Sequence, residues 1–223
     1  MNLVEYPDRD LLALDLAEVL ADALNQSLRQ KDRATFAVPG GTSPGPVFQA
    51  LSQVHLPWDR VDVMLTDERW VPESSDRSNT ALLRRSLLTG PAAAATLIPL
   101  YDAAPAPEDR LETLIAGVAP LLPIDVMLIG MGADMHTASL FPGADRLTEG
   151  LSGDAPLLLP MRAPGAPEPR VTLTAPVLSG ALDIHLLIMG TEKKEALLRA
   201  SQLPPAEAPV ACLLEGATIH YAD

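Results

Sequence analysis

The residues able to do chemistry fall in four short segments, each polar, each following an apolar run, and three of them rich in or opened by glycine. They are Pro39-Gly40-Gly41-Thr42-Ser43-Pro44, Thr66-Asp67-Glu68-Arg69-Trp70, Gly130 to Thr137, and Gly190 to Lys194. His136 is one of only four histidines, and it stands beside Asp134 in a glycine-rich turn. An imidazole titrates near neutrality, so it suits the work of a general base. Asp134 or Asp67 would orient that ring or contact substrate hydroxyls, and spacing does not choose between them. Arg69 and Lys193 are the cations. Each alone reads as a solvated surface charge, but together they become ligands for an anion such as phosphate. Lys193 would lie in the first turn of a helix, where a cation is slightly disfavoured by the helix dipole. Lys194 is its rival. Gly40, Gly41, Thr42 and Ser43 precede a helix, so their backbone N–H groups and hydroxyls could cradle an anion. An ordinary strand–helix turn with a Ser or Thr cap explains that segment equally well.

Several other chemistries are excluded. The glycine turn lacks a following Gly-Lys-Ser/Thr, so it is not a P-loop. Gly130-x-Gly132-x-x-Met135 ends on Met where a dinucleotide fingerprint needs glycine. Ser43 and Ser139 are candidate nucleophiles, but no Gly-x-Ser-x-Gly elbow surrounds either. The histidines are too scattered to suggest a metal site. His185, between Ile184 and Leu186, reads as structural; His55 and His220 have no polar context that suggests catalysis. Cys212, the lone cysteine, reads as a small buried residue beside Leu213 and Leu214.

These segments must be positioned by something, and the hydrophobic pattern says what. Leu12, Leu16, Leu20, Leu24 and Leu28 recur at helical spacing, with Asp8 or Asp10 as a cap. Short apolar strands are expected at 35–38, 61–65, 96–100, 126–129, 171–174, 184–189 and 217–221. Helices are expected at 44–54, 79–88, 108–118 and from 192 to about 200, and a short one from Thr137 to Leu140. Apolar strands alternating with helices indicate a parallel sheet covered on both faces. The expected fold is an α/β three-layer sandwich with a mostly parallel, Rossmann-like sheet. In such sheets ligands bind beyond the carboxyl ends of the strands, so four polar strand ends predict one shared pocket.

The chain has 223 residues, is 48% hydrophobic and carries a formal charge of -13. That composition is globular, and the acidity argues against nucleic acid or an anionic membrane as partner. The proline-rich stretches at 105–107, 164–169 and 204–209 are short enough for surface loops, so one domain over 1–223 is expected. The N-terminus carries no secretory pattern, and no run of about 18 apolar residues exists. The default is a soluble cytoplasmic protein.

The set "GGTSP", "LTDERWV…SN", "GADMHTASLFPG" and "RVTLT…GTEKK" resembles the glucosamine-6-phosphate isomerase/6-phosphogluconolactonase family. The likeness runs from the first helix to the last, and "HTASLFPG" is its most specific piece. The resemblance implies hydrolysis of 6-phospho-glucono-1,5-lactone, with no metal and no organic cofactor. It implies His136 as the catalytic base and Arg69 and Lys193 as phosphate ligands, with Arg170 similar to a family arginine facing the pocket. One residue departs: the family usually has glycine where this chain has Met135. If that position needs φ > 0, Met strains the turn or re-aims His136. The rival on the same fold is an aldose–ketose isomerase or deaminase, whose proton shuttle Asp67 could provide. A non-catalytic sugar-phosphate sensor ranks below both.

Overall fold

Leucines at every fourth position build the first helix, as the spacing requires. The computed structural model describes residues 1–223. Strand β1 (Asn2–Glu5) leads into α1 (Arg9–Gln30), whose Leu12, Leu16, Leu20, Leu24 and Leu28 are all buried. Asp8 is the cap: its carboxylate accepts the Leu11 N–H at 2.8 Å. The chain continues through β2 (Ala34–Val38), α2 (Gly45–Ser52), β3 (Val61–Leu65), β4 (Asp67–Arg69), α3 (Asn79–Ser86) and β5 (Thr96–Ile98). Then come α4 (Leu111–Val118), β6 (Val126–Gly130), α5 (Leu147–Gly150), β7 (Leu158–Met161) and β8 (Arg170–Leu173). The last elements are α6 (Ala175–Ser179), β9 (Asp183–Met189), α7 (Thr191–Ala200) and β10 (Ala217–Ala222).

Seven strands form one sheet in the order β1-β10-β9-β6-β2-β3-β5, every neighbouring pair parallel. The central strands β2 and β3 are buried at every residue, which is why they read as unbroken apolar runs. From β1 to β2, β3 and β5 the chain moves one way along the sheet; from β5 to β6, β9 and β10 it moves back. Right-handed crossovers therefore set α1, α2 and α3 on one face and α4 and α7 on the other. The direction reverses between the adjacent strands β2 and β6. Their outgoing connections part to opposite faces there and open a crevice at the carboxyl rim.

Four strands behave differently from the reading of the sequence. β8 does not join the large sheet. It sits between β4 and β7 in a separate antiparallel sheet of order β4-β8-β7. Thr66 couples the two sheets: its N–H donates to Val38 and its carbonyl accepts from Leu173, both at 2.9 Å. The polar segment after β3 is thus itself a strand. β1 is a half-exposed edge strand and β7 contains Pro160, so neither shows the apolar run of a central strand; an edge tolerates the proline. The helix expected from Thr137 to Leu140 is absent. Ala138 has φ 48°, and a bridge from Thr137 to Leu140 closes a turn instead. One connected core of 57 buried residues runs through both sheets and the helices. No helix is long and apolar enough to cross a membrane.

Candidate active site

The crevice between the β2 and β6 rims holds a cleft of about 200 Å³. Its wall combines Gly40, Gly41 and Ser43 after β2, Asp67 and Arg69 of β4, Gly130, Gly132 and His136 after β6, Arg170 of β8 and Lys193 of α7. All four polar segments meet there. Thr42 is exposed and outside the wall, and Asp134 touches the cleft only through His136.

His136 stands in a turn, not at a helix start. Its Nδ1 lies 2.5 Å from Asp134 Oδ1, and its backbone N–H donates to the same oxygen at 3.2 Å. The hydrogen bond from His136 holds the Asp134 carboxyl below the ordinary carboxylate range. A carboxylate on Nδ1 selects the tautomer whose Nε2 carries a lone pair. That Nε2 makes no hydrogen bond within the protein, and the ring packs on Phe141 with centroids 4.3 Å apart. The Gly132 N–H donates to the His136 carbonyl at 3.0 Å. A Cβ on Gly132 would collide with both the His136 ring and Asp134, so only glycine permits this packing. Met135 has φ 67°, the left-handed region that the departure from glycine brought into question. It is half-buried against the core, and its carbonyl accepts the Val210 N–H at 3.1 Å.

Of the two aspartates, Asp134 is the one on the imidazole. Asp67 is buried elsewhere in the wall: its Oδ2 accepts the Ser139 hydroxyl at 2.5 Å and lies 3.7 Å from Arg170. Ser139 is fully buried, bound to Asp67 and outside the cleft wall, so its hydroxyl is not presented to a substrate.

Three cations share the wall. Arg69 donates to the Arg77 carbonyl at 2.6 Å, while its buried Nε has no partner. The Arg170 side chain is 11% exposed, its Nε likewise unpartnered, and its guanidinium lies 5.5 Å from the Phe141 ring centre. Burial pulls Arg170 below its ordinary pKa, and Asp67 opposes that pull. Lys193 is half-buried, and desolvation lowers its pKa too. Lys194 points elsewhere: it pairs with Glu5 at 2.8 Å and covers the Tyr221 ring. The N–H groups of Gly40, Gly41, Thr42 and Ser43 donate to no protein acceptor. A cleft with three partly desolvated cations and free N–H groups suits an anion.

Sequence reasoning missed one wall residue of consequence and one buried polar cluster away from the cleft. Asn79 lies under the glycine turn, where a Cβ on Gly40 would strike it, and its Nδ2 donates to the Asp67 carbonyl at 3.0 Å. The "SN" in the motif marked it without giving it a place. His220 does have polar partners: Tyr6 Oη lies 2.9 Å from its Nδ1 and His185 Nδ1 lies 3.0 Å from its Nε2. These contacts join opposite ends of the chain and leave no local signal. No group of three His, Cys, Asp or Glu is arranged to hold a metal.

Known proteins resemble this chain over nearly its whole length. A 6-phosphogluconolactonase of Mesorhizobium japonicum is 42% identical over 218 residues, covering 97% of this chain and 91% of that protein. One from Rhizobium meliloti is 42% identical over 220 residues, covering 97% and 94%. The crystal structure of a 6-phosphogluconolactonase from Shewanella baltica superposes with a TM-score of 0.96 at 27% identity, covering 100% of this chain and 98% of that one. The family model described as glucosamine-6-phosphate isomerases/6-phosphogluconolactonase matches residues 7–220, and the chain belongs to that family.

Proposed function

We propose that this chain hydrolyses 6-phospho-glucono-1,5-lactone to 6-phosphogluconate. The observation that carries the reading is one imidazole nitrogen, His136 Nε2, left free in a cleft that also holds Arg69, Arg170 and Lys193. A neutral imidazole takes a proton from water as the water attacks the lactone carbonyl. The imidazolium, stabilised by Asp134, then returns a proton to the departing ring oxygen. Arg69, Lys193 and the glycine-turn N–H groups hold the phosphate. That contact fixes the ester carbon against His136 and reduces the entropic part of the barrier. The relatives named as 6-phosphogluconolactonases over nearly the whole chain support the same substrate.

The isomerase alternative needs a carboxylate free to shuttle a proton between neighbouring carbons. Asp67 is committed to Ser139 and sits beside Arg170, which counts against that role. The deciding experiment is hydrolysis of the phosphorylated lactone by purified protein, corrected for spontaneous ring opening. Rates no faster than the uncatalysed reaction overturn the reading, and ammonia release from glucosamine 6-phosphate would favour the rival.

A further inference from the structure

β4 is three residues long, and alternation along a strand sends its side chains two ways. Asp67 and Arg69 face the cleft; Glu68 faces the interior and is fully buried. A carboxylate carried into the interior must be compensated, and here the compensation is complete. Glu68 Oε1 accepts the N–H of Arg69 at 2.7 Å and of Asn79 at 2.8 Å. Glu68 Oε2 accepts the Thr80 N–H at 2.7 Å and the Ser78 hydroxyl at 3.1 Å. Four donors converge on two oxygens.

Three of these donors come from the start of α3. Asn79 and Thr80 are its first two residues, and Ser78 is its cap, whose Oγ accepts from Ala81 at 3.1 Å. A helix N-terminus attracts an anion, and in α3 that anion is the protein's own carboxylate. The fourth donor is the backbone of Arg69. One side chain thus joins the cationic strand to the helix that carries Asn79. Asn79 in turn supports the glycine turn from below and holds the Asp67 carbonyl.

We propose that Glu68 is a positioning residue for phosphate recognition. It acts through Arg69 and Asn79, and fixes β4 and the Gly40 turn at the spacing that a phosphate monoester requires. This inference rests on the phosphate-anchored reading above. Glu68→Gln is the informative substitution, because it keeps the volume. Its amide group presents hydrogens to two of the four donors, so one side of the clamp opens.

The test compares kcat/KM on the phosphorylated lactone with kcat/KM on unphosphorylated glucono-1,5-lactone, alongside Tm. Glu68→Gln is expected to lower the ratio of the two by about tenfold, the usual scale for one hydrogen bond to a charged group. A purely structural role would lower both values together and leave the ratio unchanged. Ser78→Ala removes a single bond to Glu68 and should lower the ratio less, in the same direction; it answers the question if Glu68→Gln does not fold. Arg69→Ala separates the two levels of the argument. If Arg69→Ala leaves the ratio untouched, the phosphate reading itself fails. If Arg69→Ala lowers the ratio while the folded Glu68 and Ser78 variants do not, the role of Glu68 is overturned.

Discussion

Two imidazole–carboxylate pairs in this molecule have opposite fates. His136 lies at the rim with Asp134 on Nδ1 and nothing on Nε2. His185 and His220 are buried and face each other: Tyr6 and His185 take both nitrogens of His220, while His185 Nε2 is shut away from solvent with no hydrogen bond and only Asp183 Oδ1, 3.2 Å off, beside it. The inner pair closes a chain of contacts and holds β1, β9 and β10 together. The outer pair leaves one nitrogen for a visitor. A histidine beside an aspartate is therefore not in itself a catalytic signal; an unspent nitrogen in a polar cleft is.

The contrast is sharpest in activity. His136→Ala should lower kcat for lactone hydrolysis by about 10²- to 10⁴-fold, the range for a general base, with Tm unchanged. Steady-state rates corrected for spontaneous opening check this, and retained turnover would erase the distinction between the two pairs. The inner pair should answer to acid instead. Burial, reinforced by His185, pushes the His220 pKa down to about 4, below its ordinary 6.5. Between those values the unfolded chain binds the extra proton and the native protein does not. Stability present above pH 6.5 is thus lost as pH falls towards 4, by up to about 3 kcal/mol. Urea midpoints at pH 7 and pH 4.5 measure the loss, and His220→Gln should flatten the dependence.

Smaller effects refine the picture of the rim. Lys193→Ala should weaken binding of 6-phosphogluconate by about tenfold, read by calorimetry, while Lys194→Ala should not. Asp134→Asn should reduce kcat less than His136→Ala does, because the amide oxygen can still accept from Nδ1; a loss as deep would make the carboxylate charge itself essential. Met135→Gly relieves a left-handed conformation that costs an L-residue roughly 1–2 kcal/mol. It should leave kcat within about threefold of the parent or raise it, since the glycine keeps the Val210 hydrogen bond. A collapse of activity would show that the Met135 side chain steers the ring.

The sequence made the rim legible because its chemistry is local. Apolar runs ending in Gly-Gly-Thr-Ser, Asp-Glu-Arg, Gly-x-Gly-x-Asp-x-His and Gly-Thr-Glu-Lys announce strand ends, and a parallel sheet collects strand ends at one edge. What stayed hidden depends on distant partners. β4 shows no apolar run because it has only three residues and its neighbour β8 comes a hundred residues later. Glu68 looks like a solvated charge until the start of α3 closes over it. The choice of Lys193 over Lys194, and of Asp134 over Asp67 as partner of the imidazole, turns on the direction of each side chain, which spacing does not encode.

Arg69 and Arg170 stand directly opposite each other across the β4–β8 ladder. Like charges so placed repel, and Asp67 relieves only the Arg170 side of the pair. A dianion held by Arg69, as proposed above, would offset that repulsion. Occupancy should slow amide exchange along both strands, making the guest a temporary part of the scaffold that receives it.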